Sequence, residues 1–166
     1  YTFNVMAISG GVRYADTQYN RALHSKRQVG STIKPLLYYI ALNQGFQPDT
    51  TFLSTRTNFQ LTQTVSYTPE NYKELYANTD ISLIHAISTS DNIYAVKTHL
   101  YLGINMLYEA LRAFGIEKKE ANASMALGTT DFPLIDLAKI YNTFASEGLV
   151  ENPAFIKCIK DSQGNL

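Results

Sequence analysis

Gly30-Ser31-Thr32-Ile33-Lys34-Pro35 sets a serine and a lysine three residues apart at the predicted start of a helix. On a helix that spacing puts both side chains on one face, with Cβ atoms about 5–6 Å apart. A serine hydroxyl is a poor nucleophile until a base takes its proton. A lysine becomes that base when desolvation lowers its pKa toward neutrality. The helix N-terminus adds free N–H groups and partial positive charge, both of which stabilise a nearby oxyanion. The bland alternative is a capping serine followed by a solvated lysine. Ser and Lys are common enough that about one chance match is expected in a chain this long.

Ser90-Asp91-Asn92 is the second candidate, on a bend between two predicted helices. A hydroxyl and a carboxamide two positions apart can point into one cleft, the first relaying a proton and the second hydrogen-bonding an amide. Its alternative is a helix end followed by a new N-cap, since Ser, Asp and Asn are favoured there. Other chemistry-bearing residues form no comparable pattern. His24, His85 and His99 lack metal-site spacing, so no metal is expected. Cys158, the single cysteine, is expected to be a small core residue. The twelve tyrosines are expected to fill the core or line a loop rather than stack on sugar. Asp16, Glu70 and Asp91 make no paired-carboxylate arrangement, and no phosphate-cradling glycine loop occurs. No cofactor is implied.

The elements that must hold these residues are mostly helical. Ser31 to Asn43 carries Ile33, Leu36, Leu37, Ile40 and Ala41 at helical spacing, with Pro35 in the first turn and Gly45 just past the end. Residues Gln47 to Tyr76 read as a long ordered loop with short strands. Thr79 is expected to cap a helix through Ser88 that encloses Ile81, Leu83, Ile84 and Ile87. Asn92 to Leu102 and Ile104 to Phe114 read as two helices separated by Gly103. A last helix, capped by Thr130 or Asp131, places Leu134, Leu137, Ala138, Tyr141, Phe144 and Ala145 on one stripe and ends at Gly148. At the N-terminus, Asn4 to Ser9 and Val12 to Tyr14 flank Gly10-Gly11 and predict a hairpin. Ala154 to Lys160 predicts a strand and Asp161 to Asn165 a turn. A strand entering a turn at the end of the chain leaves an unpaired edge, so the expectation is a piece of a longer protein. A frayed terminus is the alternative. The element order predicts an α+β fold, a helical cluster packed on an antiparallel sheet.

Composition sets the outer limits. The chain has 166 residues, 45% hydrophobic and 12% aromatic, enough for one domain with a sizeable core. Charged residues are 17%, and fourteen basic balance fourteen acidic, which gives no electrostatic argument for nucleic acid. One cysteine excludes an intrachain disulfide. No apolar run approaches the roughly 18 residues of a membrane span.

Ser-x-x-Lys together with Ser-Asp-Asn and Lys-Thr-Gly is the established signature of penicillin-binding proteins and class A β-lactamases. The surrounding residues are more specific. Tyr19-Asn20-Arg21-Ala22, then Arg27-Gln28-Val29-Gly30-Ser31-Thr32-Ile33-Lys34-Pro35, resembles the approach to the nucleophile in class A, bifunctional penicillin-binding proteins. Tyr67-Thr68-Pro69-Glu70-Asn71-Tyr72 resembles their YxPxNY loop. Ala86 to Ile93, Ala126-Leu127-Gly128, Tyr141 to Gly148 and Pro153 to Gly164 resemble later segments in the same order. The likeness covers nearly all of residues 1–166 and implies the first part of a β-lactamase/transpeptidase-like domain.

The resemblance also implies roles. Ser31 attacks the penultimate D-Ala carbonyl of a peptidoglycan stem peptide, or a β-lactam ring, to form an acyl-enzyme. Lys34 accepts its proton, Ser90 shuttles a proton to the leaving group, and Asn92 binds the acyl side-chain amide and helps hold Lys34. The Ser31 N–H is one oxyanion donor. The implied reaction is D,D-transpeptidation at the extracytoplasmic face of a bacterial plasma membrane, in a parent chain that also carries a glycosyltransferase domain and an anchor. One motif departs: Lys-Thr-Gly is missing. Lys97-Thr98-His99 lies inside a predicted helix, and Gly128-Thr129-Thr130 follows Ala126-Leu127. Without that motif the fragment alone is expected to acylate poorly. Two alternatives are a serine β-lactamase, for which no Glu-x-x-Leu-Asn-like element is found, and a non-catalytic β-lactam- or peptidoglycan-binding sensor.

Overall fold

A computed structural model describes residues 2–117 and 120–164. Six α-helices run through them: α1 Arg21–His24, α2 Lys34–Asn43, α3 Leu83–Thr89, α4 Asn92–Leu102, α5 Asn105–Ala113 and α6 Leu134–Ala145. The strands are two or three residues long, and the helix-and-sheet mixture is of the expected α+β kind, with small two-stranded sheets. The chain divides into two compact units, Gln28–Asp131 and Tyr1–Arg27 with Phe132–Leu166.

In the Gln28–Asp131 unit, α4 is buried on nearly every side. Ile93, Tyr94, Ala95, Val96, Thr98 and His99 are all sealed from solvent, the pattern of a helix central to a core. Leu37, Tyr38 and Ala41 of α2 join Ala86 of α3 and Ala126 in the same cluster. Each fully buried leucine or isoleucine there contributes about 1.5–3 kcal/mol. Tyr38, Tyr94, Phe52 and Phe46 form a chain of tilted and edge-on rings with centroids 5.2–5.9 Å apart, a favoured aromatic geometry. The region 47–76 is ordered and carries short strands, as expected. Thr51–Leu53 pairs antiparallel with Asp80–Ser82, and Phe59–Gln60 with Ser66–Tyr67.

Two expectations for this unit change. Thr79 does not cap a helix: Asp80–Ser82 form a strand, and the Thr79 carbonyl accepts from Ser54 N at 3.0 Å. Ile81 is buried through the strand, and the helix begins one turn later, where Ser82 Oγ accepts from His85 N. The helix expected from Ser31 begins as a 3-10 turn, Gly30–Ile33, that passes into α2 at Lys34. Pro35 sits in the first turn of α2, where its missing N–H costs nothing.

In the other unit, Asn20 caps α1 by accepting from Ala22 N and Leu23 N. The expected hairpin is absent. Neither Gly10 nor Gly11 takes a positive φ, which a two-residue hairpin turn needs. The Gly10 carbonyl instead accepts from Arg21 N at 3.0 Å. Asn4 bridges in parallel to Ala154, the single paired residue of the expected Ala154–Lys160 strand. Phe155, Ile156 and Ile159 are exposed, and so is Cys158, which is therefore no core residue. The turn at Asp161 forms, with Gly164 N donating to Asp161 O and Gln163 N to Asp161 Oδ1; Asn165, its last expected residue, lies outside the described residues.

The last helix has no side-chain cap from Thr130 or Asp131: Pro133 stands at its N-cap. Its buried line is Ile140 and Thr143, followed by Ser146, while Leu134 and Tyr141 are exposed. Thr143 and Ser146 can face inward because their hydroxyls bond back to Lys139 O and Asn142 O.

Candidate active site

The Gly30–Ile33 turn lifts Ser31 into solvent while directing Lys34 inward. The turn is closed by the Lys34 backbone N–H, which donates to Ser31 O. Ser31 is exposed, and its Oγ makes no hydrogen bond among the described residues. Its N–H falls in the first turn, where no intrahelical acceptor exists. Lys34 is 2% exposed.

The Lys34 ammonium is held by one corner of the chain. Nζ lies 2.7 Å from Ser90 O, 3.0 Å from Ser90 Oγ and 2.7 Å from Asn92 Oδ1. The corner forms because α3 ends on Ser90 in the left-handed conformation, φ 56°. Asp91 N then donates to Ala86 O at 2.9 Å, and Asp91 Oδ1 caps α4 by accepting from Tyr94 N at 2.7 Å. That bend turns the Ser90 carbonyl and hydroxyl and the Asn92 amide toward one point. All four residues singled out in the sequence therefore lie in one neighbourhood, with three in direct contact.

Burial lowers the Lys34 pKa from its ordinary value to about 8, against the opposing field of the Asp91 carboxylate. A neutral amine keeps two N–H donors and one lone pair. Ser90 O and Asn92 Oδ1 can only accept, so they take the two hydrogens and leave the lone pair facing the Ser90 hydroxyl. Asn92 Nδ2 donates one hydrogen to Glu70 O at 2.6 Å, which leaves its second hydrogen for another acceptor. A cavity of about 320 Å³ adjoins the corner, lined in part by Asn71, Tyr72, Tyr76, His85 and Ser90.

Sequence reasoning missed the support beneath this corner. Asp91 is buried, and its Oδ2 accepts from Ser54 Oγ at 2.5 Å and from Asn71 Nδ2 at 2.7 Å. Asn71 Oδ1 in turn accepts from Asn92 N at 2.7 Å. Asn71 belongs to the Tyr67–Tyr72 segment, in which spacing marks no residue as chemical, and Ser54 is one polar residue among many in its loop. His99 is wholly buried, with Nε2 against Asn122 O at 3.1 Å and burial holding its pKa below the usual value. His24 and His85 are exposed. Among the described residues no group of His, Cys, Asp and Glu could hold a metal ion, and no helix is long and apolar enough to cross a membrane.

Comparisons with known proteins point to one family. A family model described as the penicillin binding protein transpeptidase domain matches residues 2–165. The chain is 43% identical over 167 residues to penicillin-binding protein 2D of Bacillus subtilis (strain 168), covering 99% of this chain and 24% of that protein. It is 34% identical to penicillin-binding protein 1A of Aquifex aeolicus (strain VF5), covering 99% and 23%. The crystal structure of penicillin-binding protein 1A from Haemophilus influenzae superposes with a TM-score of 0.86 at 30% identity, over 94% of this chain and 23% of that one. The chain thus spans about a quarter of the length of these relatives.

Proposed function

Since the chain belongs to the penicillin-binding-protein transpeptidase family, we propose that it supplies the nucleophile, base and proton relay of a serine D,D-transpeptidase. The observation that carries this reading is the buried Lys34 amine, held by Ser90 and Asn92 one tight turn behind an exposed Ser31. In the proposed reaction Ser31 Oγ attacks the penultimate D-Ala carbonyl of a stem peptide. Its proton passes to Lys34, directly or through the Ser90 hydroxyl against which the lone pair rests. The Ser31 N–H donates to the oxyanion. The C–N bond breaks, the departing D-Ala amine takes the proton from Ser90, and an ester on Ser31 remains. An acceptor amine from a neighbouring strand then attacks that ester. It forms the cross-linking amide, returns its proton through Ser90 and Lys34, and frees Ser31.

Asn92 supports the substrate with the Nδ2 hydrogen that Glu70 does not use, donating to the carbonyl of the acyl side-chain amide. A β-lactam follows the same first step, but its ring opens without a departing fragment, so the ester persists. We assign the whole protein to the extracytoplasmic face of a bacterial plasma membrane, together with a glycosyltransferase domain, by analogy with class A relatives.

A fluorescent penicillin tests the reading. In the full-length gene product the expected result is stoichiometric covalent labelling that persists for many minutes and vanishes in Ser31→Ala, while residues 1–166 alone label poorly. Release within seconds would assign the site to a β-lactamase, and labelling that survives Ser31→Ala would remove Ser31 from the mechanism.

A further inference from the structure

We propose that Asn71 is a positioning residue for acylation, its carboxamide locking the Asn92 amide in the orientation that holds the lysine base. The proposal rests on the transpeptidase reading above. Asn92 can present either end of its amide to Lys34. With Oδ1 inward it accepts from Nζ; rotated, Nδ2 would face another donor. The Glu70 carbonyl, accepting from Asn92 Nδ2 at 2.6 Å, selects the first orientation.

What holds that carbonyl in place is its neighbour. Asn71 is 8% exposed and uses both ends of its side chain. Nδ2 donates to Asp91 Oδ2 at 2.7 Å and to Leu75 O at 3.0 Å, while Oδ1 accepts from Asn92 N at 2.7 Å. The loop is thereby fastened to the acid that caps α4 and to the backbone of the residue whose amide must be oriented. Glu70 enters this network through its carbonyl, since its carboxylate lies outside in an exposed pair with Arg56. Asp91 is the charged group whose field reaches Lys34. A residue in the place of Asn71 needs two donated hydrogens and one accepting oxygen. Aspartate keeps the acceptor and loses the donors. Its carboxylate would also stand within hydrogen-bond distance of Asp91, where two such groups share one proton.

The experiment measures acylation of the full-length gene product by a fluorescent penicillin between pH 5.5 and 9, separating the first-order acylation step from initial binding. Wild type, Asn71→Asp and Asn71→Ala are compared, each confirmed folded by thermal melting. Lys34 is titrated in parallel by ¹³C NMR of ε-labelled lysine. The expected result is at least a tenfold loss in the acylation step for Asn71→Ala at every pH, with binding unchanged. Asn71→Asp should approach wild type at the acid end, where a shared proton rebuilds the bridge, and fall away as pH rises. Its added charge should raise the Lys34 titration by on the order of one unit. Folded variants that acylate within threefold of wild type at all pH values, with Lys34 unmoved, would overturn the proposal. So would a deficit confined to binding. Failure of the wild type to label would instead count against acyl transfer itself, and the lysine titration would still decide whether Asn71 is coupled to the base.

Discussion

Gly30 N donates to Gly128 O at 3.1 Å, so the backbone that starts the Ser31 turn rests directly on the end of a second 3-10 helix, Ala123–Leu127. A Cβ on Gly128 would collide with the Gly30 backbone, and φ at Gly128 is +71°. Gly128→Ala is therefore expected to cost about 1–3 kcal/mol and to slow penicillin labelling by displacing Ser31. Urea denaturation and labelling rate measure the two effects. Wild-type values for both would show that the turn relaxes around the methyl group.

In the proposed mechanism the lowered pKa of Lys34 gives acylation a pH limb. Labelling should rise with pH and level off above about 8, as the amine loses its proton. Asp91 opposes that loss, so Asp91→Asn should move the limb to lower pH. Stability follows the same sign. Between the folded value near 8 and the unfolded value of 10.5, the unfolded chain binds the extra proton, so stability rises with pH by at most about 3 kcal/mol. Lys34→Met should flatten that rise in urea titrations. Above about pH 10 the buried hydroxyls of Tyr38 and Tyr94, both held protonated by burial, reverse the slope.

Ser90 contributes a hydroxyl and a strained backbone, and these can be separated. Its left-handed φ of 56° is unfavourable for any residue but glycine. Ser90→Gly should be more stable than Ser90→Ala by about 1 kcal/mol, while both, lacking the proposed relay, should acylate slowly. Equal melting temperatures for the two would remove the strain argument.

The Asp91 carboxylate takes bonds from Ser54, Asn71 and the Tyr94 backbone. Ser54→Ala leaves one buried acceptor site short of a donor, an effect of about 1–3 kcal/mol. Asp91→Ala, which also uncaps α4, should cost more. Urea unfolding of both variants, in which Asp91→Ala proved the milder, would contradict this network.

Cys158 is exposed, so a water-soluble disulfide reagent should modify it in the native protein without loss of penicillin labelling. Protection until unfolding would contradict the structure at 155–160.

The two motifs were legible because each is local: a single turn joins Ser31 to Lys34, and one bend brings Ser90 and Asn92 to the same amine. The central helices were legible from spacing, with Asn92–Leu102 found at its expected ends. The scaffold below the site was not. Asn71 and Ser54 meet Asp91 across 20 and 37 residues of chain, and nothing in their own neighbourhoods marks them. The N-terminal hairpin failed because Gly10 is drawn to Arg21, a tertiary contact that overrides turn propensity. Ile81 lies in a strand because its partner at Phe52 supplies the ladder, which helical spacing alone does not reveal.

Ser31 meets bulk water and Lys34 does not, although a single turn of backbone separates them. Among the described residues the hydroxyl is thus open to a reactant from outside while the amine stays dry. The reagent that reaches the alcohol leaves the solvation of its partner unchanged.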